Sequence, residues 1–339
     1  MRLMTVAVVT VLALVLFLIW FLEPVDPIAA TYARDECRRV ALVDLETGAN
    51  LSGAEDLALT PDGESILVSA HDRFDAAMPN GGIYRVNLWE LEGADRYEVR
   101  NVVDLDLREL PFRPHGIALS ADGTRLAAIN RVADGEAVVE IGDLEASGWS
   151  PSRRLAGETL CRANDLNFSE AEVETLRITL DRESCGFAIA DIMPGSATGR
   201  VAVWNGGRLQ TASRGLSFPN GISDPYVAET RKSRILRPTG TPIRVPGGPD
   251  NLTREDQRNL IVALHPSLRR LWLYLNGLWP SAASRIARVN VLSGNVEVLY
   301  DDPDGELFVA ATSAVFAKDM LIAGSVADAG LLVCQRSGG

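Results

Sequence analysis

EDLALTPDGESILVSA (residues 55–70) and HGIALSADGTRLAAIN (residues 115–130) share one plan: a short strand, an Asp-Gly turn and a second strand. NGISDPYVAET (residues 220–230) and DNLTREDQRNLIVALHP (residues 250–266) are eroded copies of this plan. A β-propeller arranges hairpins that begin alike around one axis, because the first strand of every blade starts at the same end of the central tunnel. About 300 residues at roughly 50 residues per blade therefore predict an all-β, six-bladed β-propeller.

The remaining sequence supports an all-β architecture. Short β-prone runs recur between turn residues, among them RVALVDL, RVAVWN, RIARVNV and MLIAGSV, and helical periodicity is almost absent after residue 22. Brief runs in which apolar and polar residues alternate are typical of strands rather than helices. The alternative is a pair of β-sandwiches, which would make the repeat accidental.

Composition limits the function classes. The chain has 339 residues, 47% of them hydrophobic and 23% charged, which is typical of a folded domain with a large core. The formal net charge is -12, without a long acidic run. Such a surface repels nucleic acid and attracts cations, so we expect no nucleic-acid partner.

Residues 3–22 contain no charged residue and are just long enough to cross a hydrocarbon core of about 30 Å. We expect residues 1–22 to be a membrane anchor or an uncleaved signal, residues 23–36 a linker and residues 37–339 the propeller. Arg2 precedes the apolar run while Glu23 and Asp26 follow it. This charge bias places the domain on the non-cytoplasmic side, in a periplasm, a secretory lumen or the cell exterior. A signal cleaved near Ala29, Ala30 and Ala33, giving a secreted domain, is the alternative.

Four cysteines lie in the predicted exported body, where an even count favours disulfides. Three pairings are possible. A Cys37–Cys334 bond would join the first strand to the last and close the propeller, and a Cys161–Cys185 bond would then close a local loop. No Cys-x-x-Cys or Cys/His spacing indicates zinc.

Five phrases place acids, amides or a histidine where a predicted inner strand begins. They are GAEDL with Glu55 and Asp56, PHGI with His115, ANDL with Asn164 and Asp165, FPNGI with Asn220, and PDNL with Asp250 and Asn251. Calcium prefers oxygen ligands from carboxylates, amides and backbone carbonyls. Because the inner strands of a propeller start around one axis, these side chains predict a calcium site in the tunnel.

Taken together, these phrases make the chain resemble the serum paraoxonase and arylesterase family, whose fold is a six-bladed propeller with two calcium ions in its tunnel. The resemblance covers most of the exported domain and includes the hydrophobic N-terminus and the disulfide between the first and last strands. It implies a catalytic calcium ion held by Glu55, Asn164, Asn220, Asp250 and Asn251. It implies a structural calcium ion held by Asp56, Asp165 and the carbonyl of Ile117.

The resemblance also implies an activity, the hydrolysis of lactones and aryl esters. Calcium would polarise the substrate carbonyl, and His115 would act as the general base that takes a proton from water. The chain departs from the family at AINRVAD, where Arg131 stands in place of the second, assisting histidine. Arg131 and His265 are possible pocket residues. The alternatives are a calcium-stabilised propeller that binds a ligand or partner without catalysis, and a propeller enzyme similar to gluconolactonase or strictosidine synthase.

Overall fold

The computed structural model describes residues 24–74, 80–104, 111–133, 135–169, 174–186 and 195–336. The predicted membrane segment, residues 3–22, lies outside these ranges. Within them, no helix has both the length and the apolar character needed to span a membrane.

The described chain is mostly β-structure, which confirms the predicted all-β architecture. One sheet has eight strands in the order β2-β3-β4-β5-β1-β24-β23-β22. Its strands are β1 (Cys37–Asp44), β2 (Ala54–Leu59), β3 (Ser65–Ala70), β4 (Gly82–Asn87), β5 (Arg96–Asn101), β22 (Ala311–Ala317), β23 (Met320–Ser325) and β24 (Leu331–Gln335).

Four further sheets in the described residues each contain four antiparallel strands in chain order. The first consists of β6 (Pro114–Leu119), β7 (Arg125–Ala133), β8 (Glu136–Glu145) and β9 (Gly148–Leu155). The second consists of β10 (Ala163–Phe168), β11 (Thr175–Leu180), β12 (Gly199–Asn205) and β13 (Leu209–Leu216). The third consists of β14 (Pro219–Ser223), β15 (Tyr226–Glu229), β16 (Arg234–Leu236) and β17 (Ile243–Arg244). The fourth consists of β18 (Gly248–Arg254), β19 (Asn259–His265), β20 (Ser284–Asn290) and β21 (Val296–Asp302).

The sheets have a propeller-like arrangement around a common axis. Their innermost strands β2, β6, β10, β14, β18 and β22 contact one another in this order, and β22 contacts β2 to close the ring. Apolar side chains fill the space between neighbouring sheets. Leu67 and Ile83 of the first sheet, for example, pack against Ile117 and Leu126 of the next. This geometry excludes the β-sandwich alternative, because the sheets are arranged radially around an axis, each packed against the next, rather than in two stacked layers.

The quoted repeat forms the hairpins β2–β3 and β6–β7, as the sequence predicts. Their turns are built alike. The Asp62 carboxylate accepts hydrogen bonds from the Thr60 hydroxyl and the Glu64 N–H, and Asp122 repeats this with its neighbours Ser120 and Thr124. Local side-chain bonds of this kind are why Asp-Gly dipeptides mark turns.

The first strand of the chain closes the ring. β1 pairs antiparallel with β24, with Cys37 opposite Cys334, and pairs parallel with β5 on its other side. Disulfides join Cys37 to Cys334 and Cys161 to Cys185, which confirms both predicted pairings. The closure therefore combines strand pairing with a covalent bond between the two ends of the described domain.

Residues 24–36, predicted as a linker, lie along β21. The backbone N–H groups of Thr31 and Tyr32 donate to the carbonyls of Val298 and Leu299, and the Tyr32 ring is buried. The helices of the described residues are short: the 3-10 turns Arg34–Glu36, Glu158–Leu160 and Thr230–Lys232, and the α-helices α1 (Leu88–Leu91) and α2 (Leu268–Leu275).

Candidate metal and substrate site

Every innermost strand has a register shift close to where it begins. The shifts fall at Ala54/Asp56, Pro114/Ile117, Ala163/Leu166, Pro219/Ile222, Pro249/Leu252 and Ala311/Ser313. A bulge of this type frees backbone groups from the ladder and redirects side chains, and bulges are common beside functional sites. Five of these six bulges carry the acids, amides and histidine of the five phrases, and the sixth carries Thr312 and Ser313.

Five buried oxygens at these bulges have no hydrogen-bond donor among the described residues. They are Glu55 Oε2, Asn164 Oδ1, Asn220 Oδ1, Asp250 Oδ1 and Asn251 Oδ1. A buried acceptor without a partner costs about 1–3 kcal/mol, so a native protein rarely keeps several at one place without a ligand. The five belong to the five residues that the resemblance stated above implies as ligands of a catalytic calcium ion.

The chemistry of this oxygen set suits a hard cation. Two of the residues are acids and three are asparagines. Because most of the set is asparagine, it does not count as a cluster of charged or histidine ligands: within the described ranges, no group of three or more His, Cys, Asp or Glu side chains could hold a metal ion. Mixed carboxylate and amide oxygens are a ligand set that calcium accepts, whereas zinc and other transition metals prefer nitrogen and sulfur.

The electrostatics of the acids show what a cation would relieve. Burial raises the pKa of Glu55 to about 8, and the charges of Asp56 and Asp250 add to this while Arg73 opposes it. Burial likewise raises the pKa of Asp56 to about 7, against the lowering effect of its hydrogen bonds. A divalent cation would restore the charged forms, because it supplies the opposite charge that the buried carboxylates lack.

Asp56 and Asp165, predicted to hold a structural calcium ion, connect neighbouring inner strands. Asp56 Oδ2 accepts from the Ile117 N–H at 2.8 Å, and Asp165 Oδ2 accepts from the Ile222 N–H at 2.7 Å. Their Oδ1 atoms accept from the next residue of their own strands. The contact between Asp56 and Ile117 is thus made by the Ile117 N–H, whereas the predicted ligand of the structural ion is the Ile117 carbonyl. Both carboxylates line a cavity of about 150 Å³, and the second ion stays a prediction.

Glycines permit this close packing. A Cβ on Gly116 would lie 2.7 Å from both the carbonyl oxygen of Asn164 and the Cα of Asp165. A Cβ on Gly221 would lie 2.4 Å from the Asp250 carbonyl oxygen. The His-Gly and Asn-Gly pairs therefore place the backbone of one inner strand directly against the candidate ligands of the next.

His115, the predicted base, is buried beside this oxygen set. Its Nδ1 lies 2.5 Å from Nη2 of Arg73 and 3.2 Å from Oε2 of Glu55. A guanidinium can only donate, so Nδ1 accepts and the proton of the neutral ring is on Nε2. Burial, together with the positive charges of Arg131 and Arg73, lowers the pKa of His115 well below its usual value. His115 is therefore neutral, and Arg73 occupies its accepting nitrogen.

His265, predicted as a possible pocket residue, contacts a candidate ligand. Its Nε2 donates to Asp250 Oδ2 at 2.6 Å, and both side chains are buried. Its Nδ1 is also buried and has no hydrogen-bond partner in the described part of the chain. Asp250 thus orients the ring and still keeps Oδ1 for a cation.

A cavity of about 250 Å³ adjoins His115. Arg73, Arg113, Arg131 and Arg162 line it, with His71, Pro114, Glu136 and Asp181 among its other walls. Arg73 as a whole residue is exposed, yet its guanidinium reaches the buried His115. Burial, and then the like charge of Arg73, lowers the pKa of Arg131 to about 10. Arg131, predicted as a possible pocket residue, is thus one of a group of cations.

Sequence reasoning missed several residues of the site. Arg73, Arg113 and Arg162 belong to no motif, and arginine is usually a solvated surface residue. Thr312 donates its hydroxyl to the Glu55 carbonyl at 2.7 Å, and Ser313 donates to Asp56 Oδ1 at 3.0 Å. The phrase ATSA at residues 311–314 occupies the ring position of the five phrases, so its place in the repeat is the signal that could have identified it.

Comparisons with solved structures agree on the fold. A protein of unknown function from Bacteroides thetaiotaomicron is 12% identical in sequence and gives a TM-score of 0.53. The match covers 88% of this chain and 75% of that protein. A candidate gluconolactonase is 14% identical, with coverage of 90% and 94% and a TM-score of 0.51. A gluconolactonase from Xanthomonas campestris is 15% identical, with coverage of 93% and 99% and a TM-score of 0.49.

At these identities the first two structures show a shared fold. None of the three is named a paraoxonase or arylesterase. No protein-family model and no curated protein sequence matches the chain.

Proposed function

We propose that this protein is a calcium-dependent lactonase built on a six-bladed β-propeller. Six blades follow if the eight-stranded sheet is counted as two blades that adjoin where β5 pairs with β1. The observation that carries the proposal is the set of five buried oxygens without donors, which coincides with the ligand set predicted from the sequence. Unsatisfied carboxylate and amide oxygens of this kind suit calcium.

The residues that would hold the catalytic ion are Glu55, Asn164, Asn220, Asp250 and Asn251. When bound, calcium would polarise the lactone carbonyl and stabilise the negative charge that develops on its oxygen. Asp56 and Asp165 would hold the inner strands in register around it through their bonds to Ile117 and Ile222. A second, structural ion between these two carboxylates is part of the proposal.

Proton transfer falls to the two buried histidines of the site. Nδ1 of His115 has the accepting lone pair, and it can take a proton from water only when the Arg73 guanidinium leaves it. Asp250 holds the Nε2–H of His265, which leaves Nδ1 of that ring as a second accepting nitrogen. We assign the role of general base to His115, with His265 as the alternative base.

Two observations favour lactones over aryl esters as the main substrates. The structural neighbour with a TM-score of 0.51 is described as a candidate gluconolactonase. The cavity next to His115 is lined by several charged groups, which suit a polar lactone better than an apolar aromatic ring. A gluconolactonase-like activity is therefore the preferred form of the proposal, and arylesterase activity is secondary.

The test combines calcium content with lactone hydrolysis by the purified full chain. We expect bound calcium, a fall in thermal stability when calcium is removed, and loss of hydrolysis that returning calcium reverses. Asp250→Asn should lower calcium affinity and hydrolysis at least tenfold. Asp304→Asn is the matched control, because the Asp304 side chain is largely exposed. Full hydrolysis after complete calcium removal would contradict the mechanism.

A second candidate function is a calcium-stabilised propeller that binds a ligand or partner without catalysis. The observation that favours it is the Arg73 guanidinium on the accepting nitrogen of His115. Calcium binding that raises stability, with no turnover of lactones, aryl esters or organophosphates, would select this function.

We further propose that the domain lies on the non-cytoplasmic side of a membrane to which residues 3–22 attach it. The two disulfides support this proposal, because such bonds persist mainly in oxidising compartments. Fractionation of expressing cells, with protease added outside the membrane, tests it directly.

A further inference from the structure

The cavity of about 250 Å³ beside His115 differs in charge from the rest of the molecule. Four arginines line it, against the two acids Glu136 and Asp181, while the whole chain has a net charge of -12. We propose that this cavity binds an anionic group of the substrate, a carboxylate or a phosphate. On the proposed function, the lactone or ester that is hydrolysed therefore carries a negative charge.

The lining residues have the chemistry of an anion site. Guanidinium groups bind carboxylate and phosphate oxygens through paired hydrogen bonds, and they keep their charge when partly buried. Arg113, Arg131 and Arg162 are each half-buried on the cavity wall. Like charges at such close quarters repel one another, and an entering anion would relieve that repulsion. A cluster of cations within an acidic protein also concentrates anions at this one opening.

The cavity is connected to the candidate reaction centre by direct contacts. Arg73 on its wall lies 2.5 Å from Nδ1 of His115, and that nitrogen lies 3.2 Å from Oε2 of Glu55. Arg131 donates to the carbonyl of Ala163, the residue before the candidate ligand Asn164. An anionic group held among the arginines would therefore place the neighbouring carbonyl of the same small molecule close to the calcium ligands.

Asp181 offers another explanation for the arginines. Asp181 is buried in the cavity wall. Its negative charge favours the charged form of Arg131, and the positive charges of Arg131 and Arg162 favour the charged form of Asp181. The cluster could then be a structural ion-pair network, in which removing one arginine lowers stability and changes no ligand preference. The experiment must therefore measure preference for an anion and stability in the same variants.

The kinetic test uses two esters with the same leaving group, 4-nitrophenyl hydrogen glutarate and its neutral methyl ester. With the calcium-loaded full chain in detergent, we expect kcat/KM to be at least tenfold higher for the anionic ester. Arg131→Gln and, separately, Arg113→Gln should each reduce that ratio at least fivefold. Arg208→Gln, an exposed arginine outside the cavity, should leave it unchanged. A ratio near one in the parent chain, or ratios unaffected by both cavity variants, would overturn the proposal.

Calorimetric binding of glutarate and of inorganic phosphate to the calcium-loaded protein gives a readout that does not depend on turnover. Binding that both cavity variants weaken at least fivefold supports the proposal, and the tighter of the two anions identifies the group. Binding that neither variant alters would place the anion on calcium and would overturn the proposal. Arginine-dependent binding without hydrolysis of any lactone or ester would mean that the proposed function fails while the anion site stands.

Discussion

The buried acids at the axis are only partly neutralised by the positive side chains around them. Glu55 and Asp250 each keep an oxygen without a donor among the described residues. Burial, and to a smaller extent the charge of Asp250, disfavours the ionised form of Glu55. Arg73 offsets part of this charge but is directed at His115. A calcium ion would satisfy the free oxygens and the charge together.

The first prediction concerns pH and Glu55 in calcium-free protein. The pKa of Glu55 rises from its ordinary 4.5 to about 8 on folding, so the folded chain binds a proton that the unfolded chain has released. Stability should therefore fall as pH rises between these values. Thermal unfolding from pH 5 to 8 after metal removal should show Tm decreasing, and calcium should raise Tm most at the alkaline end.

Glu55→Gln provides the control, because the amide fills the same space and does not ionise. It should reduce the slope of the fall in Tm with pH in the calcium-free protein, and Asp56, whose pKa burial also raises, supplies part of the slope that remains. Glu98→Gln, at an exposed position of β5, should leave the slope unchanged. An unchanged slope in Glu55→Gln would contradict the assignment to this carboxyl group.

Among the elements, the inner strands bulge where they carry the candidate ligands. Each bulge removes local ladder hydrogen bonds, and the neighbouring strand supplies replacements, as Asp56 does for the Ile117 N–H and Asp165 for the Ile222 N–H. Gly116 allows the β6 and β10 backbones to approach closely at this place. The strands that present the candidate ligands are therefore held by contacts between sheets as well as within them.

The second prediction is that Gly116→Ala destabilises the fold and weakens calcium binding. The new Cβ would lie 2.7 Å from the Asn164 carbonyl oxygen, so β6 and β10 must separate. Overpacking of this kind costs about 1–3 kcal/mol, which urea unfolding measures. Gly207→Ala, on an exposed turn with nothing near its Cβ position, should change the free energy of unfolding by less than about 0.5 kcal/mol. Equal effects of the two substitutions would contradict the packing argument.

The molecule as a whole depends on the closure of its ring. β1 is the first of the described strands, and by pairing with β24 it joins the last three strands, β22, β23 and β24, in one sheet. That part of the sheet therefore cannot form before the C-terminal strands are present. The Cys37–Cys334 bond spans 297 residues, whereas Cys161–Cys185 spans 24. Long-range closure of this kind removes much of the freedom of the unfolded chain.

The third prediction compares the two disulfides. Loss of a disulfide typically costs about 2–5 kcal/mol, and the cost grows with the length of the closed loop. Replacing Cys37 and Cys334 by serine should therefore lower the free energy of unfolding by about 2 kcal/mol more than replacing Cys161 and Cys185. Denaturant unfolding of the two double variants provides the measurement. Equal losses would show that the loop length does not determine the effect.

Local patterns account for the features that could be predicted. Alternating apolar residues and Asp-Gly turns encode hairpins wherever they occur, and their repetition indicates the ring. The acids and amides could be recognised as candidate ligands because each lies at the same place in a repeated phrase. The disulfide pairing followed from the ring, since its ends must meet.

Other features depend on residues that are distant in sequence. Arg73, Arg113 and Arg162 come from separate parts of the chain, and in the sequence each resembles an ordinary solvated arginine, whereas Arg131 is predicted as a possible pocket residue. The bonds from Asp56 and Asp165 to the next strands also form only when the sheets pack side by side. The sequence alone indicates which oxygen-bearing side chains surround the axis, because they lie in repeated phrases. Only the tertiary structure brings arginines beside them, because no local sequence pattern predicts which distant side chains come together.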